Sequence, residues 1–167
     1  MVYLVFSDSH GAVLNMKKVI DAQKDKIDGV IFLGDNIADA EALMKAYPTL
    51  DFYGVAGNCD ISSKFLAPEC CEKLITLDGV KILMLHGHRQ SVKSTLYVLE
   101  DYAKSRGADV VLFGHTHERC EKYCLGGVKP LIMFNPGSAA LPREGKPSFG
   151  VLTINDGHAL TSHGEIL

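Results

Sequence analysis

A chain of 167 residues that is 47% hydrophobic can bury one substantial core, and its length argues for a single domain over residues 1–167. Its 17 basic and 20 acidic side chains leave a net charge of −3 and are mixed along the sequence, so no long-range field gathers nucleic acid or an anionic membrane. No apolar run approaches the ~18 residues of a membrane span, Asp8 cuts short the opening Met1–Phe6 stretch, and the five cysteines are odd in number and contain no CxxC pair. The expectation is a cytoplasmic chain, with Cys120 and Cys124 as packing residues.

In chain order, short β-branched runs alternate with amphipathic stretches: a strand over Val2–Phe6, a helix over Ala12–Lys24, a strand over Val30–Leu33, a helix over Ala38–Ala46 and a strand over Phe52–Val55. That is a βαβαβ pattern with a parallel sheet. In the first helix Ala12, Met16, Val19, Ile20 and Gln23 share the face that lies on the sheet. Lys73–Leu77 and Val80–Leu85 form a hairpin turned at Asp78-Gly79. A helix is expected over Val92–Ser105, capped by Ser91, stopped by Gly107 and carrying Val92, Leu96, Leu99 and Ala103 on one stripe. A strand over Val110–Phe113 follows, then a hairpin turned at Gly126-Gly127, a strand over Leu131–Phe134 and a last hairpin, Ser148–Ile154 and His158–Ser162, turned at Asp156-Gly157. Two packed sheets result, one mainly parallel and one mixed, with helices outside.

Chemistry-bearing side chains sit just past the strand ends, where open α/β sheets place their ligand crevice. Asp8 and His10 follow the first strand, Asp35 the second, Asn58 the third, His86 the hairpin and His115 and His117 the Val110–Phe113 strand. In an extended stretch, residues two apart point the same way, so Asp8/His10 and His115/His117 each aim two donors into one crevice. Gly11, Gly34, Gly57, Gly87 and Gly114 each adjoin one of these residues and let the backbone crowd the site. Taken singly, Asp8 and Asp35 read as helix caps and His86 and His115 as hydrogen-bonded histidines. Seven ligand-type residues at five successive strand ends point instead to a metal site. His158 and His163 lie away from those ends, and His88, two residues after His86, reads either as a residue that orients a ligand from behind or as a solvated one.

Asp8-Ser9-His10, Gly34-Asp35, Gly57-Asn58-Cys59-Asp60, His86-Gly87-His88 and Gly114-His115-Thr116-His117 resemble, in order and spacing, the signature of calcineurin-like metallophosphoesterases. Asn135-Pro136-Gly137-Ser138 and the short length resemble the small YfcE-type phosphodiesterase branch. The resemblance implies a four-layer α/β/β/α sandwich of two mixed sheets flanked by helices. It implies one metal on Asp8, His10 and His117, a second on Asn58, His86 and His115, and Asp35 bridging them. The catalytic group would be a hydroxide between two divalent ions, held through Asp35, Asn58 and His86, with no protein nucleophile. Cys59 and Asp60 join His88 as supporting residues. Imidazole, carboxylate and amide donors without thiolate suit Mn, Fe, Ni, Co or Zn, and the family implies Mn first.

Two divalent ions less Asp8, Asp35 and a hydroxide leave about one positive charge, matched to the single charge of a phosphodiester. A small phosphodiester is therefore the expected substrate. Many relatives carry a histidine at the position of Cys59 that assists the leaving group; a thiol serves poorly there, so acidic leaving groups such as aryl alcohols are favoured. The nearest alternative is a phosphomonoesterase using Arg89, Lys93 or Arg143 for the extra charge. A non-catalytic interaction scaffold, as in the retromer subunit that resembles this fold, and a redox metal protein are the other classes. Specificity is expected from loops near Ile61–Cys71 and Leu141–Pro147, and an interface from Phe65-Leu66-Ala67 or the final hairpin. The resemblance implies a homo-oligomer.

Overall fold

The structure, a computed structural model, describes residues 1–60, 68–126 and 129–167. The N-terminal half begins β1 (Val2–Phe6), α1 (Val13–Gln23), β2 (Gly29–Phe32), α2 (Ile37–Ala46) and β3 (Asp51–Gly54). A short α3 (Pro68–Cys71) precedes the hairpin β4 (Glu72–Leu77) and β5 (Val80–Leu85), paired antiparallel with Leu77 opposite Val80. Then come α4 (Tyr97–Ser105), β6 (Val110–Leu112), β7 (Arg119–Cys124), β8 (Leu131–Pro136), β9 (Ser148–Asn155) and β10 (His158–Glu165).

The strands form two five-stranded sheets, ordered β10-β9-β1-β2-β3 and β4-β5-β6-β8-β7. In the first, β1, β2 and β3 run parallel while β9 and β10 add an antiparallel edge. In the second, β5, β6 and β8 are parallel and β4 and β7 are antiparallel to their neighbours. Both sheets are thus mixed, which corrects the expectation of one mainly parallel sheet: the last hairpin docks on β1 and brings two antiparallel pairings with it.

Side-chain alternation in β1 shows how the layers are built. Tyr3 and Val5 point between the sheets, against Ile82, Met84, Leu112 and Phe134 of the other sheet. Leu4 and Phe6 point the opposite way, against Met16, Val19 and Ile20 of α1 and Leu43 of α2. On the far side Leu99 and Ala103 of α4 cover Leu83, Val111 and Met133. Helices, sheet, sheet and helix make the four layers, and a period of two in each buried strand commits alternate residues to alternate cores. Among the described residues, no helix is long and apolar enough to cross a membrane.

One helix differs from expectation. α4 begins at Tyr97, and Ser91 is not its cap: Ser91 has φ 53° and closes a 3₁₀ turn over His88–Gln90. Left-handed Gly87 and Ser91 cannot sit inside a right-handed helix, so the chain turns twice before Leu96 starts α4. The apolar stripe is still buried, because Val92 packs over Gly87, where an added Cβ would lie 2.9 Å from Val92 Cγ2. Of the segments assigned to specificity and assembly, residues 61–67, including Phe65-Leu66-Ala67, lie outside the described residues, as does Gly127 of the β7–β8 turn.

Candidate metal centre

The loops after β1, β2, β3, β5 and β6 are roped together at their roots. Asp8 N donates to Gly34 O at 3.0 Å, and Gly114 N donates to His86 O at 3.0 Å. The donor pairs are not extended, as their spacing suggested. Asp8, His10, Asp35, Asn36, His115 and His117 all have positive φ, between 42° and 80°, and are six of the nine such non-glycine residues described. That conformation is costly for an L-residue, so its concentration at one rim marks a functional site. Space is equally tight: a Cβ on Gly114 would lie 1.9 Å from Ser7 Oγ and one on Gly57 2.2 Å from Asp35 Oδ1.

Six of the seven expected donors meet there. Asp8, His10, Asp35 and His117 offer ligand atoms that lie within 4.8 Å of one another, and so do Asp35, His86 and His115. Asp35 belongs to both groups. His117 Nε2 is 3.2 Å from Asp8 Oδ1 and 3.3 Å from His10 Nε2; His10 Nε2 is 3.8 Å from Asp35 Oδ2; His86 Nε2 is 3.4 Å from Asp35 Oδ1 and 3.8 Å from Asp8 Oδ1. Asn58 is exposed, and its amide donates to Cys59 Sγ at 3.4 Å. Cys59 in turn bonds Asp35 through both its N–H, at 2.9 Å, and its thiol, at 3.3 Å.

The neighbours set which atom each ligand presents. His86 Nδ1 lies 2.7 Å from Leu33 O and His117 Nδ1 2.6 Å from Leu141 O. A carbonyl can only accept, so Nδ1 carries the proton and the neutral ring turns a bare Nε2 into the cluster, the arrangement of a histidine that binds metal. Asp8 Oδ2 accepts from Ser7 Oγ at 2.6 Å and from His115 N at 3.0 Å, which leaves Oδ1 for the cluster. Among the described residues, Asp8 Oδ1 and His86 Nε2 are buried and have no hydrogen-bond partner. Two electron-pair donors facing one another in a dry site are expensive without a cation between them. Nitrogen and oxygen donors of this kind fit a divalent ion.

Charge tells the same story. Burial works to raise the Asp35 carboxyl, but the adjacent His86 imidazole, with Nε2 3.4 Å from Oδ1, and the Cys59 N–H and thiol hold the carboxyl well below the usual range. Burial lowers His86, yet Asp35 and Asp8 raise it overall. His115 is pushed down to about 4, chiefly by burial, with the neighbouring His86 and Lys93 adding to it. Burial and the Asp35 carboxylate push the Cys59 thiol up to about 11. The His88 ring centre is 5.5 Å from that of His86 and 6.1 Å from that of His115, and its buried Nδ1 has no described partner.

Asp60 is among the supporting residues named from the sequence, whereas Asp39, Asn135 and Ser138 are not. Asp39, buried in the first turn of α2, accepts from Ser9 Oγ at 2.6 Å and Gly11 N at 2.9 Å and so fixes the Asp8–His10 loop. Asp60 accepts from four backbone N–H groups, those of Asp35, Asn36, Ile37 and Gly57, at 2.8 to 3.1 Å. It is Asp60, from a distant loop, that caps α2; Asp8 and Asp35 cap nothing, since the residues before α1 and α2 are Ala12 and Asn36. Asn135 Nδ2 donates to Gly114 O and Thr116 Oγ1, and Ser138 Oγ donates to Asp8 O. The only sequence sign was an acid four residues past Asp35 in Asp39, and the Asn-Pro-Gly-Ser run. Ser7, Ser9 and Ser138 are fully buried. His163 bonds Asn135 O at 2.8 Å and stacks on Phe134, and His158 is exposed, so both stay outside the cluster.

A family model for the calcineurin-like phosphoesterase superfamily domain matches residues 1–157. The chain belongs to that superfamily. Within it, the probable metallophosphoesterase YsnB of Bacillus subtilis (strain 168) is 34% identical over 158 residues, spanning 93% of this chain and 86% of the relative. Phosphodiesterase YfcE of Escherichia coli (strain K12) is 26% identical over 180 residues, 91% of this chain and 88% of the relative. The crystal structure of a predicted phosphoesterase from Streptococcus pneumoniae TIGR4 matches with a TM-score of 0.76 at 26% identity, covering 98% of this chain and 88% of that one. The layers described above are therefore those of a calcineurin-like phosphoesterase fold.

Proposed function

We propose that the protein is a phosphodiesterase that works with two divalent cations, one held by Asp8, His10 and His117 and the other by His86, His115 and Asn58. Asp35 is the shared ligand. The observation that carries this reading is the membership of Asp35 in both donor groups, beside the buried and unpartnered Asp8 Oδ1 and His86 Nε2. Asn58 completes the second group with an exposed side chain that is attached, through Cys59, to Asp35. Mn²⁺ is the first candidate, and Ni, Zn, Fe or Co suit the same donors.

Such ions, when bound, polarise phosphoryl oxygens and bring water to ionisation near neutral pH. The chain's own part is to present the ligands rigidly. Leu33 O and Leu141 O fix the rings of His86 and His117, Ser7 and the His115 N–H fix Asp8, and Asp60 ties the Asp35 loop to the Asn58 loop. Two ligand carboxylates leave a small positive excess that suits a phosphodiester. The buried serine hydroxyls are already engaged, which supports attack by water instead of a protein nucleophile. An interaction scaffold has no need of this donor geometry. Metal content and turnover of bis-p-nitrophenyl phosphate, measured on the protein and on Asp35→Asn, test the reading.

A further inference from the structure

The Asn135-Pro136-Gly137-Ser138 run supplies no metal donor, yet two of its side chains lead to Asp8. Ser138 Oγ donates to Asp8 O at 2.7 Å and holds the main chain. Asn135 reaches the carboxylate through a single peptide. It is fully buried on β8, where its main chain pairs with Cys120 of β7 and its carbonyl accepts from His163 Nε2 at 2.8 Å. Its side chain is saturated: Oδ1 accepts from Gly137 N at 2.9 Å, and Nδ2 donates to Gly114 O and Thr116 Oγ1, each at 3.0 Å. A backbone N–H can only donate, so the Gly137 contact settles which end of the amide is which.

Gly114 O and His115 N belong to the same peptide unit, and that N–H donates to Asp8 Oδ2 at 3.0 Å. Gly114 O also accepts from Thr116 N at 2.8 Å. Donors on a carbonyl oxygen polarise the peptide and strengthen its N–H, so the Asn135 amide tightens the grip of His115 N on Asp8. With Ser7 Oγ at 2.6 Å, two donors sit on Oδ2, whereas Oδ1 is buried and has none among the described residues. Oδ1 lies 3.2 Å from His117 Nε2, which is itself 3.3 Å from His10 Nε2. A carboxylate rotated by a half-turn would exchange its oxygens, and the donors on Oδ2 oppose that rotation. The amide that backs them is aimed from a sheet strand, which holds direction better than a loop.

We propose that Asn135 is a positioning residue for the first cation: through the Gly114–His115 peptide it holds Asp8 Oδ2 and commits Oδ1 to the ion shared with His10 and His117. The inference rests on the two-cation reading above. It separates the two donor groups, because the second ion draws no ligand from Asp8.

Two variants test it. Asn135→Asp keeps the shape but sets an oxygen against Gly114 O, and Asn135→Ala removes the amide altogether. In calorimetric titration with Mn²⁺ each is expected to weaken one of the two ions about tenfold or more and the other less than about twofold. In an Asp8→Asn background, which lacks the carboxylate through which Asn135 acts, adding Asn135→Asp is expected to change the remaining ion less than about twofold. In the metal-free parent the His115 amide proton is expected downfield in the NMR spectrum, and upfield of that position in both variants. Equal weakening of both ions, weakening of neither, a further loss in the Asp8→Asn background, an unmoved His115 signal, or a Thr116→Val variant as costly as Asn135→Asp overturns the proposal. If neither variant folds, the scalar coupling between His115 N and the Asp8 carboxyl carbon in the metal-free parent decides it, its presence supporting the proposal and its absence overturning it. A parent that takes up fewer than two ions overturns the two-cation reading instead, and the metal-free signals still decide whether Asn135 holds Asp8.

Discussion

Cys59 turns its thiol onto Asp35, with Sγ 3.3 Å from Oδ2, so the residue that the family resemblance sets at the leaving-group position is engaged with the carboxylate common to both donor groups. With burial and Asp35 pushing it up to about 11, this thiol gives up its proton reluctantly. Replacement by an imidazole supplies an acid of suitable strength, and general acid assistance is worth roughly 10²-fold or more. Cys59→His is expected to raise kcat on an alkyl phosphodiester by about ten- to a hundredfold and to change an aryl diester far less. An unchanged ratio of the two rates would remove the leaving-group explanation.

Asp60 is the structural keystone of the rim by the number of backbone groups it satisfies. Removing a half-buried carboxylate that accepts four N–H groups, three of them around the start of α2, is expected to cost about 2–4 kcal/mol. Urea unfolding of Asp60→Ala in chelator measures this without contribution from metal. Divalent-ion affinity should fall as well, because the Asp35 and Asn58 loops lose their common anchor.

Gly114 and Gly79 separate crowding from backbone strain. Gly114→Ala puts a methyl 1.9 Å from Ser7 Oγ and 2.9 Å from Asp8 Oδ2, so it is expected to cost about 1–3 kcal/mol and to displace Asp8. Gly79, at φ +77° in the β4–β5 turn, has nothing within 4 Å. Gly79→Ala should cost about 1–2 kcal/mol through its left-handed backbone alone. Only the first substitution should weaken metal binding, as read by calorimetric titration with Mn²⁺.

Binding to the folded state alone must stabilise it. At a hundredfold excess of Mn²⁺ over its dissociation constant the gain is about 2.7 kcal/mol for one site, and chelator should abolish it. Thermal unfolding with and without Mn²⁺, and again after EDTA, checks this.

The strand-end logic read the site well because it depends on topology: parallel strands deliver their following loops to one edge, whatever those loops look like. Asp8, His10, Asp35, His86, His115 and His117 were legible for that reason. Their conformation was not. A spacing of two suggested extended backbone, and the chain instead uses left-handed residues, which only neighbours such as Asp39 and Ser138 can hold in place. Those partners lie 30 and 130 residues from the serine and aspartate they hold, beyond the reach of any local pattern. α4 failed at its start for a related reason: the stripe through Val92 is real, but burial of Val92 over Gly87 is achieved by a turn, and periodicity cannot tell a turn from a helix when both hide the same side chain.

The central claim is that Asp35 serves both cations at once. Asp35→Asn keeps the size of the side chain and removes its charge, so the fold should persist while the second ion is lost. Metal analysis and bis-p-nitrophenyl phosphate turnover on the same preparations decide it: the account predicts about two ions per chain and measurable hydrolysis in the parent, with one ion or none and at least a ~10²-fold loss of kcat in Asp35→Asn. Two tightly held ions and undiminished hydrolysis in that variant would contradict it.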